Sequence, residues 1–242
     1  TWSWALLDET SARFANALAA AGAAPGDRIA AQVDKSPEAL ALYLACLRGG
    51  FGYLPLNNAY TPAEIGYFLQ DAAPVVFVCA PAAHAALESP ARAAGVRAVH
   101  TLDADGGASL LAAAAMQSAV HAPVALGEDD LAAILYTSGT TGRSKGAMLS
   151  HGNLASNGLA LVEAWGFGPG DVLLHALPVF HVHGLFVAHH CALLSGARML
   201  YHRRFDLGWL LRDLPRATVL MGVPTFYTRL LGDERFTASL TG

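Results

Sequence analysis

The sequence predicts an α/β fold built on mainly parallel sheets with flanking helices, and three observations lead to it. Short apolar runs of strand length alternate with longer Ala-rich stretches whose apolar residues recur at helical spacing, the pattern of crossover units on a parallel sheet. Helix starts are marked by hydroxyl caps followed by proline, at Ser36-Pro37 and Thr61-Pro62. In such a start the cap oxygen accepts an orphan backbone N–H and proline presets the first helical φ. The run 131–136, LAAILY, is continuous rather than alternating and stops at a turn, as a strand buried on both faces does.

Taken in order, residues 11–21 read as an Ala-rich helix stopped by Gly22, and Pro25-Gly26-Asp27-Arg28 leads into a strand at 29–33. The helix capped by Ser36, with Glu38 in its first turn, ends at Gly49-Gly50, and a strand follows at 51–54. Thr61-Pro62-Ala63-Glu64 is a capping box opening a helix to Asp71, after which 75–79 is the next buried strand. A helix at 82–94, a strand at 96–100 and a weaker helix at 108–115 continue the alternation. Residues 117–130 are the only candidate linker, with Pro123, Gly127 and the acids Glu128, Asp129 and Asp130. Being short and placed directly before the 131–136 strand, they read as an internal connection whose acids face solvent. Downstream come a helix at 151–165, a strand at 172–176, a turn at 177–184 into a helix reaching Leu194, a strand at 217–222 and a helix at 223–231. On that last helix Phe226, Tyr227, Leu230 and Leu231 share a face. Arg229 sits about 60° from Phe226 at the margin of the stripe, where it can reach solvent or close a pocket rim.

Composition narrows the class. With 242 residues, 54% hydrophobic and 14% charged, the chain buries a sizeable core as one large domain or two small ones. A formal net charge of −4 gives no general attraction to nucleic acid or anionic membrane, so neither is an expected partner. Cys46, Cys79 and Cys191 stand alone in apolar runs, as reduced core residues of a cytoplasmic protein do. The longest apolar stretch, 39–56, is broken by Arg48, Gly49 and Gly50, so no membrane span is expected. The opening TWSWALLDE carries acid where a signal peptide carries base.

The chemistry concentrates in residues 137–145. Almost every side chain there is a small hydroxyl, a glycine or a cation, so backbone N–H groups, hydroxyls and Lys145 can converge on one point. Such a loop suits a polyanion, ATP phosphates above all, against the plain alternative of a Ser/Thr/Gly surface loop. A Walker loop is excluded because Ser144, not glycine, precedes Lys145, and the GxGxxG spacing of dinucleotide folds is missing. Histidines are dense downstream, at His175, His181, His183, His189, His190 and His202. No helical His-x-x-x-His with a suitable carboxylate accompanies them, so no metal site is assigned.

The stretch YTSGTTGRSKG resembles, residue for residue, the phosphate-binding signature of the adenylate-forming superfamily: acyl-CoA synthetases, luciferases and peptide-synthetase adenylation domains. Many members carry proline where this chain has Ser144. LPVFHVHG resembles the family segment whose first histidine, here His181, lines the carboxylate and adenylate site; the plain alternative is a turn histidine bonded to backbone. With MGVPTFYTRLL, it is most similar to malonyl-CoA synthetases, in which the helix arginine, here Arg229, pairs with the substrate's distal carboxylate. The resemblance implies the following reaction: a carboxylate attacks the α-phosphorus of Mg-ATP, pyrophosphate leaves, and coenzyme A captures the acyl adenylate. Thr137, Ser138, Gly139, Thr140, Thr141, Gly142 and Lys145 would hold the β- and γ-phosphates, with His181 and Lys145 as the catalytic groups and Arg229 and His181 toward the acid.

The resemblance also implies that 1–242 is an incomplete N-terminal AMP-binding catalytic domain, inactive alone. The magnesium-binding acid, the ribose aspartate and the mobile C-terminal domain with its adenylation lysine are expected elsewhere in a longer chain. Two other readings stand beside the malonate one: a general short- or medium-chain acyl-CoA synthetase, and a truncated, non-catalytic nucleotide-binding paralogue.

Overall fold

The computed structural model describes residues 1–103, 108–137 and 144–237. The chain forms two compact units, Thr1–Asn153 and Leu154–Gly242. In the first, helices α1 (Trp4–Ala20), α2 (Pro37–Gly49), α3 (Pro62–Ala72), α4 (His84–Ala93) and α5 (Ser109–Ala115) alternate with strands β1 (Arg28–Gln32), β2 (Gly52–Pro55), β3 (Val76–Cys79), β4 (Ala98–Thr101), β5 (Leu131–Thr137) and β6 (Lys145–Ser150). The sheet order is β4-β3-β1-β2-β5-β6. Every pairing is parallel except the last, in which β6 runs antiparallel to β5. The α/β class and the mainly parallel sheet are therefore as the sequence predicts.

The caps do what their residue types require. Ser36 accepts from the Ala39 N–H at 3.1 Å, and Gly50 closes α2 in the left-handed region at φ 70°, a conformation that costs glycine little. Thr61 and Glu64 form the reciprocal capping box of α3.

One expectation is corrected and one element is added. Helix α1 begins at Trp4 rather than residue 11, because Ser3 caps it by accepting the Leu6 N–H at 3.1 Å. Ser11 is an interior residue whose hydroxyl donates to the Asp8 carbonyl. The stretch after the hydroxyl-rich loop, which the sequence reading assigned to no element, is strand β6, which turns back along β5 as a hairpin with Lys145 to Met148 exposed. Residues 117–130 belong to the first unit, as expected of an internal connection. The Arg13 guanidinium donates to the Gln117 carbonyl and Asn16 to those of Ser118 and Val120.

The second unit carries a parallel sheet in the order β8-β7-β9, from β7 (Val172–His175), β8 (Arg198–Tyr201) and β9 (Val219–Met221). Helix α6 (His151–Trp165) leads into it, followed by a π-helix at His183–Ala188, then α7 (His189–Ser195), α8 (Leu207–Asp213) and α9 (Pro224–Leu231). Strand β8 and helix α8 went unread in the sequence. Adjacent β7 residues face opposite sides: Leu173 packs with Leu177, Ala188 and Cys191, while Leu174 packs with Leu210, Leu211 and Leu230. On α9 the expected apolar face is narrower than the sequence suggests, for Leu230 is buried while Tyr227 and Leu231 are exposed.

Candidate functional site

In the first unit the described candidate residues, Thr137 and Lys145, stand at the loop end of the β5–β6 hairpin. Thr137 and Lys145 are cross-strand partners, followed inward by Tyr136 and Gly146. Ser138, Gly139, Thr140, Thr141 and Gly142 lie outside the described residues. Lys145 is exposed and forms no ion pair with any described residue, so its ammonium is available to an anion. Gly146 is bare for a steric reason: a Cβ there would stand 2.9 Å from Ile134 Cγ2 and 3.5 Å from Tyr136 Cζ.

Helix α3 touches both sides of this hairpin near its loop. The Tyr67 hydroxyl donates to the Ser144 carbonyl at 3.0 Å, and the Tyr136 hydroxyl donates to Asp71 Oδ2 at 2.5 Å. Burial raises the Tyr136 pKa, and the Asp71 carboxylate raises it further, so the phenol stays protonated and remains the donor. Tyr67, Asp71, Tyr136 and Gly146 escaped the sequence reading. The only available signal was the i, i+4 spacing of Tyr67 and Asp71 on α3.

In the second unit His181 opens the turn before the π-helix. It is exposed, its ring lies 4.6 Å from that of Phe180, and its carbonyl accepts the Leu185 N–H. No hydrogen bond to a described residue engages its imidazole, unlike the backbone-bonded turn histidine that was the alternative. Behind it two buried histidines hold the π-helix by its carbonyls: His175 Nε2 lies 2.9 Å from Gly184 O and His189 Nδ1 lies 3.0 Å from Leu185 O. A carbonyl only accepts, so in the neutral rings these nitrogens carry the protons, and His189 Nε2 receives the Tyr201 hydroxyl at 2.9 Å. Gly184 is required at this point, since a Cβ would stand 2.0 Å from the Pro178 carbonyl oxygen. The dense histidines are thus largely structural. Among the described residues no cluster of three His, Cys, Asp or Glu could hold a metal ion.

Arg229 is exposed on α9, with its guanidinium carbon 5.5 Å from the centre of the Phe205 ring, which packs in turn against Phe226 at 4.1 Å. Elsewhere in this unit Arg212 and Arg216 both reach the Asp213 carboxylate, and Arg235 reaches Asp233. Arg229 has no carboxylate among the described residues. The guanidinium lies within cation–π range of the ring, and a planar fork of N–H donors is the group suited to a two-oxygen anion.

A profile of the AMP-binding enzyme family matches residues 1–241. The chain belongs to the AMP-binding enzymes. Among AMP-binding enzymes of known structure, the chain is similar to ATP-bound MatB from Rhodopseudomonas palustris, at 55% identity and a TM-score of 0.96 over 99% of this chain and 48% of that one. A feruloyl-CoA synthase of Amycolatopsis is 34% identical over 97% of this chain and 46% of its own length. The mitochondrial malonate–CoA ligase of Xenopus laevis is 34% identical over 77% of this chain and 33% of its own. The chain therefore spans less than half the length of these relatives. The fold matches the N-terminal part of such enzymes. No helix among the described residues is long and apolar enough to cross a membrane.

Proposed function

We propose that this chain is the N-terminal part of an ATP-dependent acid–thiol ligase that forms an acyl adenylate and then an acyl-CoA, with malonate as the acid. In this reading residues 1–242 are an incomplete AMP-binding catalytic domain, and a mobile C-terminal domain belongs to the rest of the protein. ATP, coenzyme A and a dicarboxylic or short-chain acid are its partners, with magnesium accompanying ATP. The three buried, free cysteines suit a reducing compartment, which the reading takes to be the cytoplasm.

The β5–β6 hairpin supports the nucleotide half of the proposal. Lys145 stands exposed at its loop end beside Thr137, and with Ser138, Gly139, Thr140, Thr141 and Gly142 it would hold the β- and γ-phosphates. Its charge matters most as pyrophosphate departs, when negative charge grows on the leaving oxygens. His181, exposed and without a hydrogen-bond partner on its ring among the described residues, would border the acyl phosphate. The likeness to an ATP-bound structure supports the same reading.

The single observation that carries the choice of acid is the exposed guanidinium of Arg229 beside the Phe205 ring, without a carboxylate partner among the described residues. It would pair with the distal carboxylate of malonate and leave a monocarboxylic acid with nothing to offer. Charge-assisted hydrogen bonds contribute roughly 1.5–3 kcal/mol each, so losing a bidentate pair shifts relative specificity by about 100-fold or more. In the full-length protein Arg229→Leu is expected to lower the malonate-to-butyrate ratio of kcat/KM by that order while leaving the KM for ATP nearly unchanged. An unmoved ratio would remove Arg229 as the selector and favour a general short- or medium-chain synthetase.

A further inference from the structure

We infer that Tyr67 and Asp71 are positioning residues for the β5–β6 hairpin, fixing the two strand ends that carry Thr137 and Lys145; the inference rests on the phosphate-binding reading of Lys145. Helix α3 is a firm base for the task. Its capping box fixes the first turn, and Ile65, Phe68, Leu69 and Ala72 bury one face in a core shared with Leu54, Phe77 and Ile134. Tyr67 and Asp71, four residues apart, share an adjoining face of that helix.

From this face each makes one bond to one side of the hairpin. On the returning strand the Tyr67 hydroxyl holds the carbonyl of Ser144 at 3.0 Å, and that carbonyl belongs to the peptide unit joining Ser144 to Lys145. On the outgoing strand Asp71 holds the hydroxyl of Tyr136 at 2.5 Å, one residue before Thr137. The rings enforce the same geometry: Phe68 lies 4.5 Å and Tyr67 6.4 Å from Tyr136, with Tyr67 and Phe68 5.4 Å apart. Bare Gly146 opposite Tyr136 leaves room for that ring. Neither Tyr67 nor Asp71 would touch substrate. Their work is to keep the two strand ends in register, so that the lysine ammonium leaves the hairpin in one direction.

A coupling experiment on the full-length protein separates positioning from mere stabilisation. Acid-dependent ATP–pyrophosphate exchange is measured for Tyr67→Phe, Asp71→Asn, Lys145→Ala and the double variant Tyr67→Phe/Lys145→Ala. Both conservative single variants keep their side-chain shape, and thermal melts check that they fold. Because displacements of about 1 Å at a reacting group cost up to 100-fold, each is expected to lower the exchange rate about ten-fold with the KM of the acid unchanged. The double variant is expected to be no slower than Lys145→Ala, since Tyr67 acts through the lysine. Wild-type exchange in both Tyr67→Phe and Asp71→Asn beside a slow Lys145→Ala would overturn the inference, as would fully multiplicative losses in the double variant. Unimpaired exchange in Lys145→Ala would overturn the phosphate reading itself, and the inference with it.

Discussion

At the scale of single residues the second unit contains a titrating group with a definite pH signature. His190 is buried on α7, and desolvation pushes its pKa from the ordinary 6.5 to about 4, against a smaller opposing effect from a Leu154 backbone hydrogen bond. The folded state therefore binds this proton less readily than the unfolded chain. Stability is unaffected above about pH 6.5 and falls as pH drops from 6.5 toward 4, by up to about 3 kcal/mol in all. In His190→Leu the loss across this window is expected to shrink, and denaturant melts at pH 7 and pH 4.5 measure it; an identical pH dependence in both proteins would contradict it. Asp213 has the opposite sense in a lower window. The Arg212 guanidinium, aided by His202 against the cost of burial, holds it at about 2 instead of 3.8, so its contribution is complete above about pH 4 and vanishes toward pH 2.

Residue identities legible in the sequence were those whose chemistry is local. Lys145 and Thr137 stood out by type and spacing, whereas His181 and Arg229 stood out only through the resemblance of the segments that carry them, and the described residues place Lys145 and Thr137 opposite one another. The supports were silent, because Tyr67 and the carbonyl it holds are 77 residues apart and nothing in either neighbourhood names the other. Histidines were harder still. His175 and His189 look like ligands in a string of letters, but in the fold their nitrogens are committed to carbonyls of the π-helix.

At the scale of elements the legible helices were those with strong ends. Ser36-Pro37 and Thr61-Pro62 fixed the starts of α2 and α3 to the residue, whereas α1 was started too late because Ser3 lacks a following proline and Ser11 imitates a cap. The π-helix at His183–Ala188 could not be read at all, since its wider turn has no periodic signature in six residues. Its weakest point is steric. Gly184→Ala would drive a Cβ to 2.0 Å from the Pro178 carbonyl oxygen and 3.1 Å from Leu177 Cβ, an overpacking expected to destabilise by about 3 kcal/mol. Gly168→Ala, where no atom lies within 4 Å of the added carbon, serves as the control and should change stability by no more than about 0.5 kcal/mol. Equal denaturation midpoints for the two variants would show that the π-helix yields freely.

At the scale of the whole molecule, alternation of strand and helix was enough to give the class, because a parallel sheet requires crossovers and crossovers require helices. The antiparallel hairpin went unread because residues 145–150 were not assigned to a strand, although the connection from Thr137 to Lys145 is too short for a crossover. That hairpin is the departure from the parallel plan, and it pairs Thr137 with Lys145 across its strands. The most direct test of the ligase account uses the full-length protein in ATP–pyrophosphate exchange with malonate, acetate, butyrate and ferulate as the offered acids. Exchange driven by malonate, at a kcat/KM about 100-fold above butyrate, is the predicted result; exchange driven by ferulate or butyrate with malonate inert would contradict it.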